Sequence, residues 1–235
     1  MHYCGVVPAR GLLQLALLEE VRTEEPPIQL NAVFFEPGTA GEVAAELLSL
    51  GEVVVALGAP LSEPAEGHPA RDCDALLLRR GVGPLPPDAE MRRLAEALDS
   101  LPAFTGNGDG TEGSVPEGSY NEFPVFETNA DGVFCAMQGR RLPAKRHPLG
   151  IQRRIAELED DRVIDDGGEL WHRRIEELDA AAAALCAHRY AVGHACWVGS
   201  PEEGVLVLPG SSLPDQFSSD GVLPPVERLR LSREA

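Results

Sequence analysis

The chain has 235 residues, of which 43% are hydrophobic and 25% are charged, so it can bury a core and is too apolar for general disorder. Its 38 acidic and 20 basic residues leave a net charge of −18. Such a field repels phosphate backbones and disfavours broad nucleic-acid binding, while it is compatible with a solvated surface, a basic protein partner or a carboxylate-rich metal site. The length favours one domain, predicted over residues 1–209, followed by an irregular tail over 210–235.

Several classes of site and location are excluded by missing patterns. The five cysteines form no CxxC pair and are predicted to be reduced and mostly buried. No apolar run approaches the roughly 20 residues that a membrane span needs, so we expect no membrane association and a cytoplasmic location. No GxxxxGK[ST], GxGxxG or GxSxG pattern occurs, which excludes the corresponding nucleotide cradles and nucleophile turn.

The first half of the chain predicts an alternation of strands and helices. Three apolar stretches separated by helix-breaking segments predict a meander of three strands, Tyr3–Val7, Leu12–Leu18 and Ile28–Phe35, although 12–21 alone could form a helix. Thr39 can cap an amphipathic helix that Gly51 ends. Val53–Leu57 then has the unbroken apolar pattern of a central strand.

The second half predicts mainly helices, with a final hairpin. Helices are expected at 71–80, 88–101, 130–138, 149–160 and 169–190, and a strand at 123–127. The glycine-rich stretch 105–120 has almost no large apolar group and is predicted to be a mobile loop. Segments 194–198 and 205–208 predict a hairpin. This order gives an α/β fold of the ribonuclease-H-like type, with a mixed five-stranded sheet, helices on both faces and a C-terminal hairpin.

Five short motifs resemble those of one family, in the same order along the chain. They are VVVALGAP at 53–60, RDCD at 71–74, FPVFETN at 123–129, the segment 145–154, and LDAA at 178–181 followed by Ala184. They resemble the domain-of-unknown-function 429 family, described as predicted nucleases of the ribonuclease H fold. The resemblance covers most of the chain and implies carboxylates that converge on a divalent metal, Mg²⁺ or Mn²⁺, at one end of the sheet.

Two acidic positions that the resemblance implies are absent from this chain. Val7 stands where the family has an Asp on its first strand, and Gly58 stands where the buried strand ends in Asp. Neither side chain can supply a metal ligand, and assembling a two-metal site would be difficult. Glu127 and Asp179 are the retained candidates for both catalysis and metal binding.

Two further acids are weaker candidates. Asp74 and its neighbour Asp72 are explained at least as well by the favourable electrostatics of a helix start. Glu176 lies one turn before Asp179 on the same helix face and could join it, or could be a solvated surface charge. Glu127 could equally cap a strand and pair with an arginine, and Asp179 could be a surface acid.

Basic residues are concentrated in one stretch that includes the only lysine, Lys145. With Arg153 and Arg154 it forms a candidate anion-binding patch, and Arg71 could hold an anion near the end of the sheet. These arginines could instead neutralise neighbouring acids on helix surfaces.

Three functional hypotheses remain open from the sequence. The first is a degenerate nuclease fold with weak or no phosphodiesterase activity that acts by binding. The second is an active nuclease with a non-standard set of carboxylates. The third is a protein-interaction module whose glycine-rich loop orders on meeting a partner. Whether the chain is an enzyme stays undecided at this point.

Overall fold

A computed structural model describes residues 1–24, 28–106, 111–115, 124–165 and 167–218. Within these ranges the chain forms nine strands and six α-helices. The strands are β1 His2–Ala9, β2 Leu12–Arg22, β3 Ile28–Phe34, β4 Val53–Leu57, β5 Glu112–Ser114, β6 Val125–Glu127, β7 Val163–Asp165, β8 Ala195–Ser200 and β9 Gly204–Pro209. The helices are α1 Ala40–Ser49, α2 Asp72–Arg79, α3 Ala89–Ala97, α4 Ala130–Gln138, α5 Pro148–Asp160 and α6 Ile175–Ala191.

The centre of the sheet has the strand order of a ribonuclease-H-like fold. β1, β2 and β3 form an antiparallel meander, and β4 and β6 follow in parallel on the other side of β1, so the central order is β3-β2-β1-β4-β6. The predicted fold class is confirmed. The segment 12–21, which could also have formed a helix, is a strand because both its neighbours pair with it along most of its length.

The sheet is larger than the five strands expected. β7 pairs in parallel with β3 at one edge, while β9, β8 and β5 extend the other edge beyond β6. The C-terminal hairpin was predicted correctly as β8 and β9, but it belongs to the main sheet. β5 and β7 have three residues each, which is too short for an alternating pattern to be visible in the sequence.

Helices cover both faces of the sheet, as predicted. α1 and α3 bury Val43, Leu47 and Met91 against one face, where Leu13 and Val55 of the strands point. α4 and α6 pack on the opposite face. Successive side chains of a strand point to opposite faces, so β4 contributes alternately to the two cores.

Local signals explain where two of these helices begin. Thr39 caps α1 through a reciprocal capping box with Glu42, as the sequence suggested. Asp88 caps α3 by accepting a hydrogen bond from the Met91 backbone N–H at 3.0 Å.

The closest contact between a helix and the sheet joins α6 to β1 at Gly5. A Cβ atom added at Gly5 would lie closer than 3.0 Å to the Ala180 carbonyl oxygen and to the Ala184 backbone nitrogen. Residues 180–184 of α6 are all alanine and all fully buried. Small side chains on both partners therefore let the helix backbone rest almost directly on the strand backbone.

Two expectations about irregular segments have mixed outcomes. Of the glycine-rich stretch 105–120, residues 107–110 and 116–120 lie outside the described residues. The described part contains β5, which pairs with β8, and the buried Val115, and the predicted mobility of the stretch stays a prediction. In the expected tail, 210–218 carries the buried Phe217, and 219–235 lies outside the described residues.

All five cysteines are free and buried, in agreement with the sequence-based expectation. Over the described part of the chain, every helix is too short or too polar to cross a membrane.

Replacing Gly5 with Ala should destabilise the protein strongly, because the added methyl group overlaps with backbone atoms that cannot move without shifting α6. We expect a loss of about 1–3 kcal/mol or more in the free energy of unfolding, measured by urea denaturation. Gly41→Ala, in the first turn of α1, is the matched control, since a Cβ there meets nothing within 4 Å. The control should be neutral or stabilising by up to about 1 kcal/mol. Equal stability of the two variants would contradict the close packing of α6.

Candidate functional site

Three of the four positions implied by the family resemblance meet at one cavity. Val7 near the end of β1, Gly58 just after β4, and Asp179 of α6 all line a cavity of about 170 Å³. A Cβ atom on Gly58 would lie 2.7 Å from Val7 Cγ1, so these two residues are in direct contact. The fold therefore gathers these three positions, and of the three only Asp179 carries a carboxylate. The cavity is also lined by Asp88, whose side chain caps α3 through the Met91 backbone N–H.

Lys145 occupies the position next to this carboxylate. Its Nζ donates a hydrogen bond of 2.9 Å to Asp179 Oδ2, and Lys145 also lines the cavity. Asp179 is buried, whereas the Lys145 side chain keeps 38% of its surface exposed. Asp179 Oδ1 is buried and lacks a hydrogen-bond partner within the described ranges.

The two charges of this pair influence each other's ionisation. Burial raises the pKa of the Asp179 carboxyl above its ordinary value, and the adjacent Lys145 ammonium opposes this rise. Burial acts to lower the pKa of Lys145, but the charge and the hydrogen bond of Asp179 outweigh it, so that pKa is raised. Each charge therefore stabilises the ionised form of the other.

The residues at this cavity do not fit a divalent metal. Mg²⁺ and Mn²⁺ prefer several oxygen ligands, whereas Val7 offers methyl groups and Gly58 offers no side chain. Of the two acids that line the cavity, Asp179 has one oxygen bound by an ammonium, and Asp88 has one oxygen bound by the Met91 backbone N–H. Searching the described residues finds no group of three or more His, Cys, Asp or Glu side chains arranged to hold a metal.

Glu127, the second retained acid, has a different environment. Arg71 binds it in a bidentate ion pair, with Nη1 at 2.8 Å from Oε2 and Nη2 at 2.6 Å from Oε1. The Leu61 backbone N–H donates a further hydrogen bond to Oε2 at 3.1 Å. Phe126 belongs to the α6-side core, so strand alternation directs Glu127 toward the other face, and Glu127 does not line the cavity of Asp179.

Arg71 is itself fully committed to internal partners. It is 1% exposed, and each of its five N–H donors has an acceptor: two go to Glu127, two to Asp74 and one to Ser62 Oγ. No donor of Arg71 is left for an external anion. Burial raises the pKa of Glu127, and Arg71 opposes this rise through its hydrogen bonds and charge. Glu127, Arg71 and Asp74 form what we call the Arg71 cluster.

The two weaker acidic candidates lie in the first turns of helices. Asp74 lies in the first turn of α2 and pairs with Arg71, its Oδ2 lying 2.8 Å from Nε. Glu176 lies half-buried in the first turn of α6, where the helix dipole favours an acid. Neither lines the cavity of Asp179.

The basic candidates divide into internal and exposed groups. Arg154 is buried and donates from Nη2 to Asp131 Oδ1 at 2.6 Å and from Nη1 to two backbone carbonyls. Arg153 is exposed on the same helix, α5. Lys145 and Arg154 therefore neutralise carboxylates, as one of the two sequence interpretations proposed.

Glu203, in the turn between β8 and β9, is a structural acid that the sequence analysis missed. It accepts hydrogen bonds from the backbone N–H groups of Ala65 and Asp72 and lies 3.1 Å from His68 Nδ1. It thereby fixes the segment before α2 that carries Arg71. The sequence signal for Glu203 is weak, because it shows only an acid in a turn flanked by glycines. The partners of Glu203 lie more than 130 positions away along the chain.

No family model matches the chain, and no curated protein matches it. RuvC from Thermus thermophilus is similar to it with a TM-score of 0.40 and 13% sequence identity, over 81% of this chain and 94% of that chain. At this level the likeness carries no statement about activity, and the fold assignment stands on the strand order described above.

Replacing Arg71 with Met should leave Glu127 buried and uncompensated. Removing one partner of a buried ion pair typically costs about 3–5 kcal/mol of unfolding free energy at neutral pH. The folded pKa of Glu127 is raised above the unfolded value and should rise further in the variant. The loss should therefore be full above the folded pKa and shrink as the pH falls below it. Arg79→Met, on the exposed surface of the same helix, is the control and should change stability by less than about 0.5 kcal/mol. If denaturation gave the same small loss for both, the Arg71 cluster would not hold the fold.

Replacing Lys145 with Met should cost less, about 1–3 kcal/mol at neutral pH, because more than a third of the lysine side chain is already in solvent. Without the ammonium the folded pKa of Asp179 should rise further, so the loss should be full above the folded pKa of the variant and should disappear below the folded pKa of the wild type. Adding Asp179→Asn to Lys145→Met should recover much of the stability, measured as a coupling energy in a double-mutant cycle. Purely additive losses would show that the ion pair does not form.

Proposed function

We propose that this protein is a divergent member of the domain-of-unknown-function 429 family that does not hydrolyse phosphodiesters and acts by binding. One observation carries the proposal: the Lys145 ammonium lies 2.9 Å from Asp179 Oδ2, where the fold would gather carboxylates around a divalent metal. A fixed monovalent cation balances the buried charge but offers no open coordination position to a water or a phosphate oxygen.

The surroundings of Asp179 support the same conclusion. Val7 and Gly58 touch each other at the end of β1 and β4, so the space that two aspartates would need is filled by a methyl group. Val7 is 5% exposed and belongs to the α6-side core. Val7 is therefore part of the hydrophobic core, and its side chain cannot supply an oxygen ligand to a metal in any rotamer.

The rival function, an active nuclease with a non-standard set of acids, has less support. It would need Asp72, Asp74 or Glu176 to complete a metal site with Asp179, but Asp74 is bound by Arg71 and none of the three acids lines the cavity. Asp88 does line it, but its carboxylate already caps α3. The net charge of −18 also opposes the approach of a nucleic-acid backbone. The ligand we favour is therefore small and anionic, bound beside the basic stretch around Lys145.

The proposal is tested by titrating the protein with Mn²⁺ in a calorimeter and by assaying cleavage of DNA and RNA oligonucleotides in Mn²⁺ and Mg²⁺. We expect no saturable Mn²⁺ binding at the cavity and no cleavage above the buffer. Saturable binding or cleavage that is lost in Asp179→Asn would overturn the proposal, because it would show that the carboxylate still serves a metal.

A gain-of-function variant provides the positive control for the titration. Val7→Asp and Gly58→Asp add two carboxylates to Asp179 and Asp88 at the cavity, and Lys145→Gln removes the competing ammonium. Gly58→Asp must be made with the change at Val7, because its Cβ would otherwise lie 2.7 Å from Val7 Cγ1. We expect the triple variant to bind Mn²⁺ while the wild type does not. Binding in the wild type as tight as in the triple variant would contradict the proposal.

A further inference from the structure

A second cavity lies on the other side of Lys145 and is unusually basic for this chain. Its volume is about 110 Å³, and its charged lining residues are Arg141, Lys145, Arg154 and Asp131. Arg154 pairs with Asp131 and Lys145 pairs with Asp179, so Arg141 leaves a net positive charge at this point in a protein whose net charge is −18. A local excess of positive charge against such a background concentrates small anions at this point.

The side chain of Arg141 packs against the backbone of Gly81. Its guanidinium lies across Gly81, where an added Cβ would be 2.7 Å from Arg141 Nε and 3.0 Å from Cζ. Gly81 has a φ of +89°, a conformation that side-chain-bearing residues rarely adopt. The side chain of Arg141 is exposed, and within the described ranges it forms no ion pair. Its donors are therefore available to a ligand in the cavity.

The other two cations also retain unused donors. Arg154 is 2% exposed, and its buried Nε–H has no hydrogen-bond partner among the residues that the structure describes. This buried donor is out of reach of a ligand, so Arg154 contributes its positive charge to the cavity. The Lys145 ammonium has three N–H donors, and a single hydrogen bond, to Asp179, is recorded for it in the described structure.

The size of the cavity limits the ligand. At roughly 30 Å³ for each water molecule in the liquid, it holds about three or four waters, far below the 300–1,000 Å³ typical of pockets for drug-sized molecules. A compact oxyanion fits this volume, whereas a whole nucleotide must leave its base and sugar outside. Arginine donors match the oxygens of a phosphate group in geometry and charge.

From these observations we propose that the cavity lined by Arg141, Lys145 and Arg154 binds a single phosphate group, either as inorganic phosphate or as the terminal group of a phosphate monoester. The proposal deepens the proposed function, on which it rests, by naming the ligand chemistry. It moves the anion site away from Arg153, which does not line the cavity, and from Arg71, whose donors are all used.

The test compares inorganic phosphate, a nucleoside monophosphate and chloride at matched ionic strength, by calorimetry with the full chain. We expect saturable binding of both phosphate compounds, with a dissociation constant on the order of 1 mM for inorganic phosphate, and none for chloride. Arg141→Gln should weaken this affinity by about tenfold or more, because it removes a charge-assisted partner. Arg153→Gln, which also removes one exposed arginine from the same stretch, is the matched control and should change the affinity by less than about twofold, the scale expected of a screened charge outside the cavity.

The single lysine offers a second measurement on the wild type. An amine-reactive acylating reagent can modify only Lys145 and the N-terminal amine, so their relative rates can be followed by mass spectrometry. Phosphate should slow the acylation of Lys145 relative to the N-terminus, and chloride should not. Tighter binding of the monoester than of inorganic phosphate would identify the cavity as part of a larger ligand site, and equal binding would identify the phosphate group alone as the ligand.

The outcomes separate the two proposals. Absence of saturable phosphate binding, or an equal loss in Arg141→Gln and Arg153→Gln, would overturn the phosphate site, and the non-hydrolytic function would stand if no cleavage were seen. Metal-dependent cleavage that requires Asp179 would overturn the proposed function whatever the phosphate titration showed.

Discussion

The close approach of α6 to β1 is the constraint on which the position of the site depends. Gly5 leaves no side chain between the strand and the helix, and the alanines at 180–184 let the two backbones meet. Asp179 immediately precedes this contact on α6, and Val7 follows Gly5 by two residues on the same face of β1. The height of the helix above the sheet therefore places Asp179 at the cavity with little freedom to move.

Two buried carboxylates at the end of the sheet are stabilised in different ways. Glu127 belongs to the Arg71 cluster, in which the planar guanidinium of Arg71 binds two carboxylates at once and is shielded from solvent. Asp179 has a single lysine, a compact charge on a flexible stem whose side chain remains partly exposed. The first arrangement fixes the segments before α2 to the sheet. The second leaves one carboxylate oxygen and two ammonium protons free of recorded partners among the described residues, which makes it the more adaptable of the two.

The central fold could be predicted from the sequence because its signals are local. The apolar run of β4, the cap at Thr39 and the hairpin of β8 and β9 each depend on neighbours within a few residues. The enlargement of the sheet could not, since β9 joins β6 through one recorded register pair, Glu127 with Leu206, and β7 has only three residues. Such pairings are determined by which edges remain uncovered after the core has formed, and a sequence pattern does not carry that information.

The site was predictable in part, for a related reason. The family resemblance implied acidic positions at residues 7, 58 and 179, and the structure brings Val7, Gly58 and Asp179 to one cavity. It also proposed Glu127 and Asp179 as partners, whereas each is bound by a cation distant in sequence: Arg71 is 56 positions from Glu127, and Lys145 is 34 positions from Asp179. Which cation reaches which acid depends on the paths of the segments before α2 and α5, and no motif in the sequence records these.

Pairing with Lys145 compensates the burial of Asp179. A buried carboxylate must be protonated or paired, and protonation is unfavourable near neutral pH unless burial raises the pKa by several units. An arginine could also pair with Asp179, but its planar guanidinium is a larger head group. A lysine provides the required charge with a smaller head and keeps donors for the neighbouring basic cavity. In the proposed phosphate site, the ammonium group that balances the charge of Asp179 would also contact the anion.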